Sequence, residues 1–153
     1  MKIYLDIDGV LIPERSWQTL IPLEDGFSMF NSKSVKALNE IIEYNNADIV
    51  LISFHKSTYT IEKWREILTT RKIIVNGLDK LPDNPLFLNR HDELMKYFNK
   101  NEIDDDFIII DDDKSLNKLE PYYKDKLIQP SSVVGLTDRL ISITQKIWKK
   151  NLD

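Results

Sequence analysis

The chain has 153 residues, of which 42% are hydrophobic and 30% charged, a balance typical of one soluble globular domain spanning residues 1–153. Its net charge of −4 argues against stable nucleic-acid binding through bulk electrostatics, and the absence of cysteine excludes disulfides, thiolate metal sites and a cysteine nucleophile. No apolar run approaches the roughly 20 residues of a membrane span and no signal peptide is apparent, so we expect a cytoplasmic protein without a membrane partner.

The first predicted element is a buried strand over residues 2–6, which places two carboxylates at its carboxyl end. Asp6 and Asp8 stand one residue apart in the run Asp-Ile-Asp-Gly-Val. Ligands of open α/β sheets bind at this edge. Two acids so close repel each other unless a cation, usually Mg²⁺, lies between them. The alternative is an acidic turn without function, since Asp-Gly is a common turn pair.

Residues 11–31 contain two prolines and a glycine, which predicts an irregular insertion. At about twenty residues it would form a short flap or a minimal cap, not a separate lid domain. We expect its aromatic residues to form a small cluster of their own, with base stacking as the alternative. They are Trp17, Phe27 and Phe30.

Two helices with a strand between them are predicted next. The first covers about residues 32–44, with Asn31 or Ser32 as its cap, because apolar residues recur at helical spacing. A second strand covers residues 48–52. The second helix covers residues 60–69 and has one apolar face.

Ser53 ends the second predicted strand, so its hydroxyl would lie at the same edge of the sheet as Asp6. A hydroxyl there can donate a hydrogen bond to a phosphate oxygen, although the residue can equally be a simple turn serine. We interpret His55 as a polar loop residue and His91 as a surface residue. Three lysines are alternative phosphate-binding cations or ordinary solvated side chains: Lys56, Lys72 and Lys114.

The second half of the chain continues the alternation of strands and helices. Its predicted elements are a short strand over residues 73–75, a turn at Asn76-Gly77, a loop over residues 81–85, a helix over residues 90–99, a strand over residues 107–110, a short edge strand over residues 126–129 and a final amphipathic helix from about residue 137 to Lys150.

Asp111 and Asp112 directly follow the apolar run of residues 107–110, which is typical of a parallel strand buried on both faces. Two buried strands would thus each end in a pair of acids. Such pairs can lie side by side in one sheet, where a divalent cation can bridge them. The whole pattern predicts a three-layer, Rossmann-like α/β domain with a central parallel sheet and a minimal cap.

Taken in order, these motifs resemble those of the haloacid dehalogenase-like (HAD) phosphatase superfamily over nearly the whole chain. Residues 6–10 match its first motif, Ser53 its second, Arg90 its third, and Asp111 with Asp112 its fourth. The chain looks most similar to the small, nearly capless HAD domains of nucleic-acid repair proteins. It departs from them after the serine, where those relatives have Trp-Arg and this chain has Phe-His-Lys.

The resemblance implies a Mg²⁺ cofactor and a covalent mechanism. Asp6 would be the nucleophile that forms an aspartyl-phosphate, and Asp8 would be the general acid and base. Ser53 and Arg90 would bind the phosphate oxygens, and Gly9 would keep a side chain from crowding the phosphate. The implied metal ligands are Asp6, the backbone carbonyl of Asp8, and Asp112 with Asp111 alongside.

The sequence hypothesis is therefore a Mg²⁺-dependent phosphomonoester hydrolase whose partner is a phosphorylated nucleotide, nucleic-acid end or small metabolite. A 5′-nucleotidase or a small-metabolite phosphatase is the alternative among enzymes. Another alternative is a phosphoryl-accepting signalling or binding module without turnover. The one-residue spacing of the first two acids, and a serine in place of an acid after the second strand, favour the enzyme.

Overall fold

The computed structural model describes residues 1–15, 20–140 and 142. The strands are β1 (Lys2–Leu5), β2 (Asp48–Leu51), β3 (Leu78–Lys80), β4 (Phe107–Ile110) and β5 (Leu127–Ile128). The helices are α1 (Ser32–Asn45), α2 (Ile61–Thr70), α3 (Arg90–Lys100) and α4 (Pro121–Lys124), with 3₁₀ turns at Phe54–Ser57 and Lys114–Lys118. Within the described residues the strands form one all-parallel sheet in the order β3-β2-β1-β4-β5.

The centre of the sheet aligns the carboxyl ends of three strands. Leu5 of β1 lies opposite Leu51 of β2 and Ile110 of β4. The backbone ladder continues for one more residue, since the Asp6 amide donates to the Ile110 carbonyl at 2.9 Å and the Ile52 amide donates to the Leu5 carbonyl at 3.0 Å. The side chains that follow these strands therefore emerge at one level of one edge.

The sheet separates two apolar cores. Successive side chains of a strand point to opposite faces, so Ile3 and Leu5 belong to the core that includes Trp64 of α2, whereas Tyr4 belongs to the core that includes Phe98 of α3. Helices thus cover both faces. The predicted three-layer, Rossmann-like α/β architecture is confirmed.

Most predicted elements lie within one or two residues of their expected bounds. Asn31 and Thr60 cap α1 and α2 with side-chain oxygens that accept backbone amides, as their positions before the apolar stripes predict. The predicted edge strand over residues 126–129 is β5. The short helix α4 and the two 3₁₀ turns were not predicted, since they carry little hydrophobic periodicity.

The prediction of a strand over residues 73–75 is wrong; the third strand is β3, five residues further on. The backbone of the expected segment is held by a side chain of α1 instead. The Asn39 amide nitrogen donates to the Lys72 carbonyl at 2.8 Å, and its oxygen accepts from the Ile74 amide at 2.9 Å. The apolar residue Ile73 fills the core from this irregular segment, while the more polar Leu-Asp-Lys forms the edge strand.

The described part of residues 11–31 packs onto the main domain. Phe27 and Phe30 are buried in the core beside α2, and the Phe27 ring lies edge-on to Trp64 with 5.4 Å between centroids. The expectation of a separate aromatic cluster is therefore wrong for these two residues, because α2 offers a larger apolar surface than the flap alone. Trp17 lies outside the described residues.

Arg71 at the end of α2 fastens the flap through a buried guanidinium. Its two terminal nitrogens donate to the Asp25 carboxylate at 2.7 and 2.9 Å. It also donates to the Phe27 carbonyl at 2.7 Å and to the Ser28 carbonyl at 2.8 Å. The hydrogen bonds from Arg71 lower the pKa of Asp25 to about 2, because they favour the charged carboxylate.

The predicted final helix begins within the described residues, where positions 138–140 are helical, but most of it, with Trp148, lies outside them. Across the described ranges, no helix combines the length and the apolar character that a bilayer crossing requires.

We expect Asp25→Asn to lower the free energy of unfolding by about 2 kcal/mol near neutral pH, because it removes the charge that pairs the buried Arg71. The folded-state pKa of Asp25 is depressed, so this contribution is complete above the ordinary carboxyl pKa of about 3.9 and is lost as the pH falls through about 2. Urea unfolding at both ends of that range measures the difference between parent and variant.

The matched control is Glu24→Gln, which changes the neighbouring exposed carboxylate and should leave stability nearly unchanged. A stability difference for Asp25→Asn that stays the same size at low pH would show that the ion pair does not fasten the flap.

Candidate active site

An acidic cluster lies where β1 and β4 end side by side. Asp6, Asp111 and Asp112 each present one carboxylate oxygen, and these oxygens all lie within 4.8 Å of one another. Asp6 and Asp111 are buried and Asp112 is half-buried. The two acid pairs that the sequence predicted at neighbouring strand ends are thus brought together by the parallel register.

Burial and mutual repulsion disfavour the charged forms of these acids. The pKa of Asp6 is raised well above its ordinary range, by desolvation first and then by the charge of Asp111. Desolvation raises the pKa of Asp111 to about 6, and it also raises the pKa of Asp112. Three adjacent carboxylates in this setting need positive charge to remain ionised together.

Arg90 supplies part of that positive charge from beneath the cluster. It opens α3 and is buried, with Nε 2.9 Å from Asp111 Oδ2 and Nη2 3.5 Å from Asp6 Oδ1. The Nε and Oδ2 atoms are close, yet neither makes an aligned hydrogen bond, so this contact is an ion pair by proximity. Burial alone would lower the pKa of Arg90, but the carboxylates of Asp111, Asp6 and Glu93 outweigh it and raise that pKa.

Glu93 links Arg90 to a second buried cation. Its Oε1 lies 3.3 Å from Arg90 Nη1, and its Oε2 accepts from Lys56 Nζ at 2.8 Å. Lys56 is buried, and its carbonyl accepts a hydrogen bond from the Trp64 indole. The interpretation of Lys56 as a solvated lysine is therefore wrong; it stabilises Glu93, which in turn holds Arg90.

The other two lysines considered as phosphate-binding cations are exposed. Lys72 follows α2 at the opposite edge of the sheet, away from the acids. Lys114 opens the 3₁₀ turn after Asp113, one turn from the acidic cluster. Among the described cations, Arg90 is the one in ion-pair contact with the cluster itself.

Asp8 is not one of the three clustered acids, and its side chain pairs with a histidine. Its Oδ2 lies 2.7 Å from His55 Nε2, and both side chains are partly exposed. The His55 ring also packs edge-on against Phe27 of the flap, with 5.3 Å between centroids. His55 was interpreted as a polar loop residue, and it lies in the 3₁₀ turn after β2, where its imidazole contacts Asp8. The signal available in the sequence was its position two residues after Ser53, at the carboxyl end of β2.

Ser53 occupies the predicted edge position and is fully buried. Its hydroxyl oxygen accepts a hydrogen bond from the His55 amide at 3.2 Å and so caps the 3₁₀ turn that carries His55. The turn-forming role is thus present, and the position at the end of β2 is also the one expected of a phosphate contact. His91 pairs with its neighbour Asp92 and takes no part in the cluster.

Gly9 makes space for an acid of the cluster. It adopts a left-handed φ of 77°, and a Cβ built on it would lie 2.1 Å from Asp112 Oδ2. A side chain at this position would therefore displace Asp112. We expected Gly9 to relieve crowding at a bound phosphate; the neighbour that the structure shows is the Asp112 carboxylate.

A parallel sheet whose carboxyl edge gathers acids from two neighbouring strands around a buried arginine defines a HAD-like α/β domain. The chain belongs to the family described as the HAD domain in Swiss Army Knife RNA repair proteins, which matches residues 2–141. This confirms the resemblance drawn from the motifs. Membership indicates a hydrolase of the phosphatase type. Comparison with curated proteins and with solved structures found no match.

Proposed function

We propose that this protein is a Mg²⁺-dependent phosphomonoester hydrolase that acts through an aspartyl-phosphate on Asp6. The observation that carries the proposal is the grouping of Asp6, Asp111 and Asp112 above Arg90 at the carboxyl edge of the sheet. Its family membership supports the same class of chemistry.

In the proposed reaction, an Asp6 carboxylate oxygen attacks phosphorus and the bond to the leaving oxygen breaks. Asp8 gives its proton to that leaving oxygen, then takes a proton from the water that hydrolyses the aspartyl-phosphate. The positions of the two side chains support this division of labour. Asp6 is buried next to Arg90, whereas Asp8 is partly exposed at the rim, where a leaving group departs.

The residues present fit a divalent cation. Carboxylate oxygens are the hard ligands that Mg²⁺ prefers. When all four carboxylates of the network are ionised (Asp6, Asp111, Asp112 and Glu93), they face two cations, Arg90 and Lys56, and the two remaining negative charges are the amount that one divalent cation would neutralise. Asp6, Asp111, Asp112 and the Asp8 backbone carbonyl would hold it. When bound, the cation would offset charge on the phosphate oxygens.

The substrate we propose is a phosphorylated nucleic-acid end, with a nucleotide or small metabolite as the alternative. Support comes from the small flap, which packs onto α2 and offers no separate lid domain within the described residues. A site without a lid does not readily enclose a small metabolite and exclude water from it. The family description, which names RNA repair proteins, supports the same substrate class.

His55 is proposed as a positioning residue for Asp8. The 2.7 Å contact fixes one carboxylate oxygen, and Phe27 holds the imidazole ring from the flap side. His55 makes this contact from the 3₁₀ turn that Ser53 caps, as the second residue after Ser53.

We expect Asp6→Asn to reduce phosphatase turnover by about 10⁴-fold or more while the protein stays folded, because the amide keeps the shape and loses the nucleophile. Hydrolysis of an aryl phosphate and quench-trapping of protein-bound phosphate measure the two steps. Turnover at the parent rate would refute the covalent mechanism. A parent that traps phosphate but never releases it would instead support the module without turnover.

Mg²⁺ should raise the melting temperature of the protein, because a ligand that binds the folded state and not the unfolded state stabilises the folded state. EDTA should reverse this rise and stop activity. Asp112→Ala should abolish most of that thermal shift. The control is Asp105→Ala, which removes an acid at the opposite edge of the sheet and should keep it. Equal thermal shifts in the two variants would show that the acidic cluster does not bind the cation.

His55→Ala should lower kcat about tenfold for an alkyl phosphate and much less for 4-nitrophenyl phosphate, whose leaving group needs no proton. His55→Gln, which retains an N–H donor, should recover part of the loss. His91→Ala is the control, since its imidazole pairs with the neighbouring Asp92 and its backbone contact with Ser115 is kept in the variant. Equal losses on both substrates would indicate a structural role and contradict the positioning of Asp8.

A further inference from the structure

Phe54 exposes an aromatic ring immediately beside the candidate active site. It follows Ser53 in the 3₁₀ turn after β2 and is 62% exposed. The guanidinium carbon of Arg90 lies 4.5 Å from the centre of its ring. One face of the ring is therefore covered by the same guanidinium that contacts Asp6, and the exposed area belongs to the remaining face and edges.

This arrangement places a flat apolar ring next to the proposed nucleophile, with only the Arg90 guanidinium between the Phe54 ring and the Asp6 carboxylate. Arg90 Nη2 is 3.5 Å from the Asp6 carboxylate, and the Phe54 ring lies on that guanidinium. The cation–π contact orients the ring, because the buried Arg90 is itself in ion-pair contact with three carboxylates. A planar group attached to a phosphate in the site would meet a platform that is already oriented.

The loop that precedes α3 contacts the 3₁₀ turn that carries Phe54. Residues 82–89 lead from β3 to Arg90, and Ser57 of the 3₁₀ turn donates to Asp83 of this loop at 2.5 Å. The loop presents Phe87, which is 91% exposed and adopts a left-handed φ of 50°. A bulky residue in that conformation is a costly outlier, and such strain clusters at sites of function.

We propose that Phe54 is the stacking platform for the nucleobase attached to the reacting phosphate, an inference that rests on the proposed function and names the part of the substrate that its site recognises. Every nucleobase has a π-face, so stacking on an aromatic ring binds nucleic-acid ends without regard to sequence. The net charge of −4 favours this mode, because it leaves little affinity to come from counterion release.

The test measures binding, so it does not depend on turnover. Calorimetry in the Asp6→Asn background with Mg²⁺ present would compare adenosine 5′-monophosphate with ribose 5-phosphate, and a 3′-phosphorylated oligoribonucleotide with the same strand abasic at its last residue. We expect the ligand with the base to bind about tenfold more tightly in each pair. The two pairs distinguish a mononucleotide from a nucleic-acid end as the source of the base.

Adding Phe54→Leu should reduce that preference to near unity, and Phe54→Trp should preserve it. Leucine keeps an apolar cover over Arg90, so any effect on phosphate binding enters both members of a pair and cancels in the ratio. Tyr122→Ala removes an exposed aromatic side chain from α4, at the far edge of the sheet, and should leave the preference unchanged.

A preference that survives Phe54→Leu, or no preference for the base in the Asp6→Asn protein, would overturn the platform. In the second case the exposed Phe54 ring would serve another partner, such as a protein. The proposed function fails separately. If the parent binds the base through Phe54 yet hydrolyses no phosphomonoester, the stacking platform is supported and the proposed phosphatase activity is wrong. If the parent hydrolyses phosphomonoesters without a preference for the base, the activity is supported and the stacking platform is wrong.

Discussion

The organising constraint of this protein is the concentration of negative charge at the carboxyl edge of its sheet. Parallel strands aligned by Leu5 and Ile110 force acids from two loops into one desolvated corner, where burial raises their pKa values. Buried positive charge offsets that repulsion. Arg90 lies beneath the acids, and the Glu93 and Lys56 pair holds the arginine in place. In the proposed function, one divalent cation would neutralise the remaining negative charge of these acids.

The partly exposed residues around this buried charge network are held by fewer contacts. Asp8, His55 and Phe27 form a chain from the acid to the flap, and Arg71 fastens the flap to α2. The proposed nucleophile therefore depends on the core of the sheet, whereas the proposed proton donor depends on a surface segment. In the proposed reaction, binding of the phosphate and departure of the leaving group would thus be supported by different parts of the fold.

Short sequence patterns, each within one segment of the chain, predicted the fold and the positions of the clustered acids. Continuous apolar runs before adjacent aspartates marked β1 and β4, and caps such as Thr60 marked helix starts, because each depends on neighbouring residues alone. The misses are long-range. The Asn39 clamp that keeps residues 73–75 out of the sheet and the contact of His55 with Asp8 join segments tens of residues apart. No spacing rule within one segment encodes such pairings.

The shared carboxylate of Glu93 has a consequence for how this sequence can diverge. Loss of Lys56 alone would leave Glu93 with a single cation and draw Arg90 toward it, away from the acids; loss of Glu93 alone would leave Lys56 as a buried, unpaired charge. Either single loss destabilises the protein, whereas losing Lys56 and Glu93 together removes one positive and one negative charge and leaves the net charge of the network unchanged. Among homologues, these two positions should therefore be exchanged as a pair, and a chain that carries only one of them should be rare.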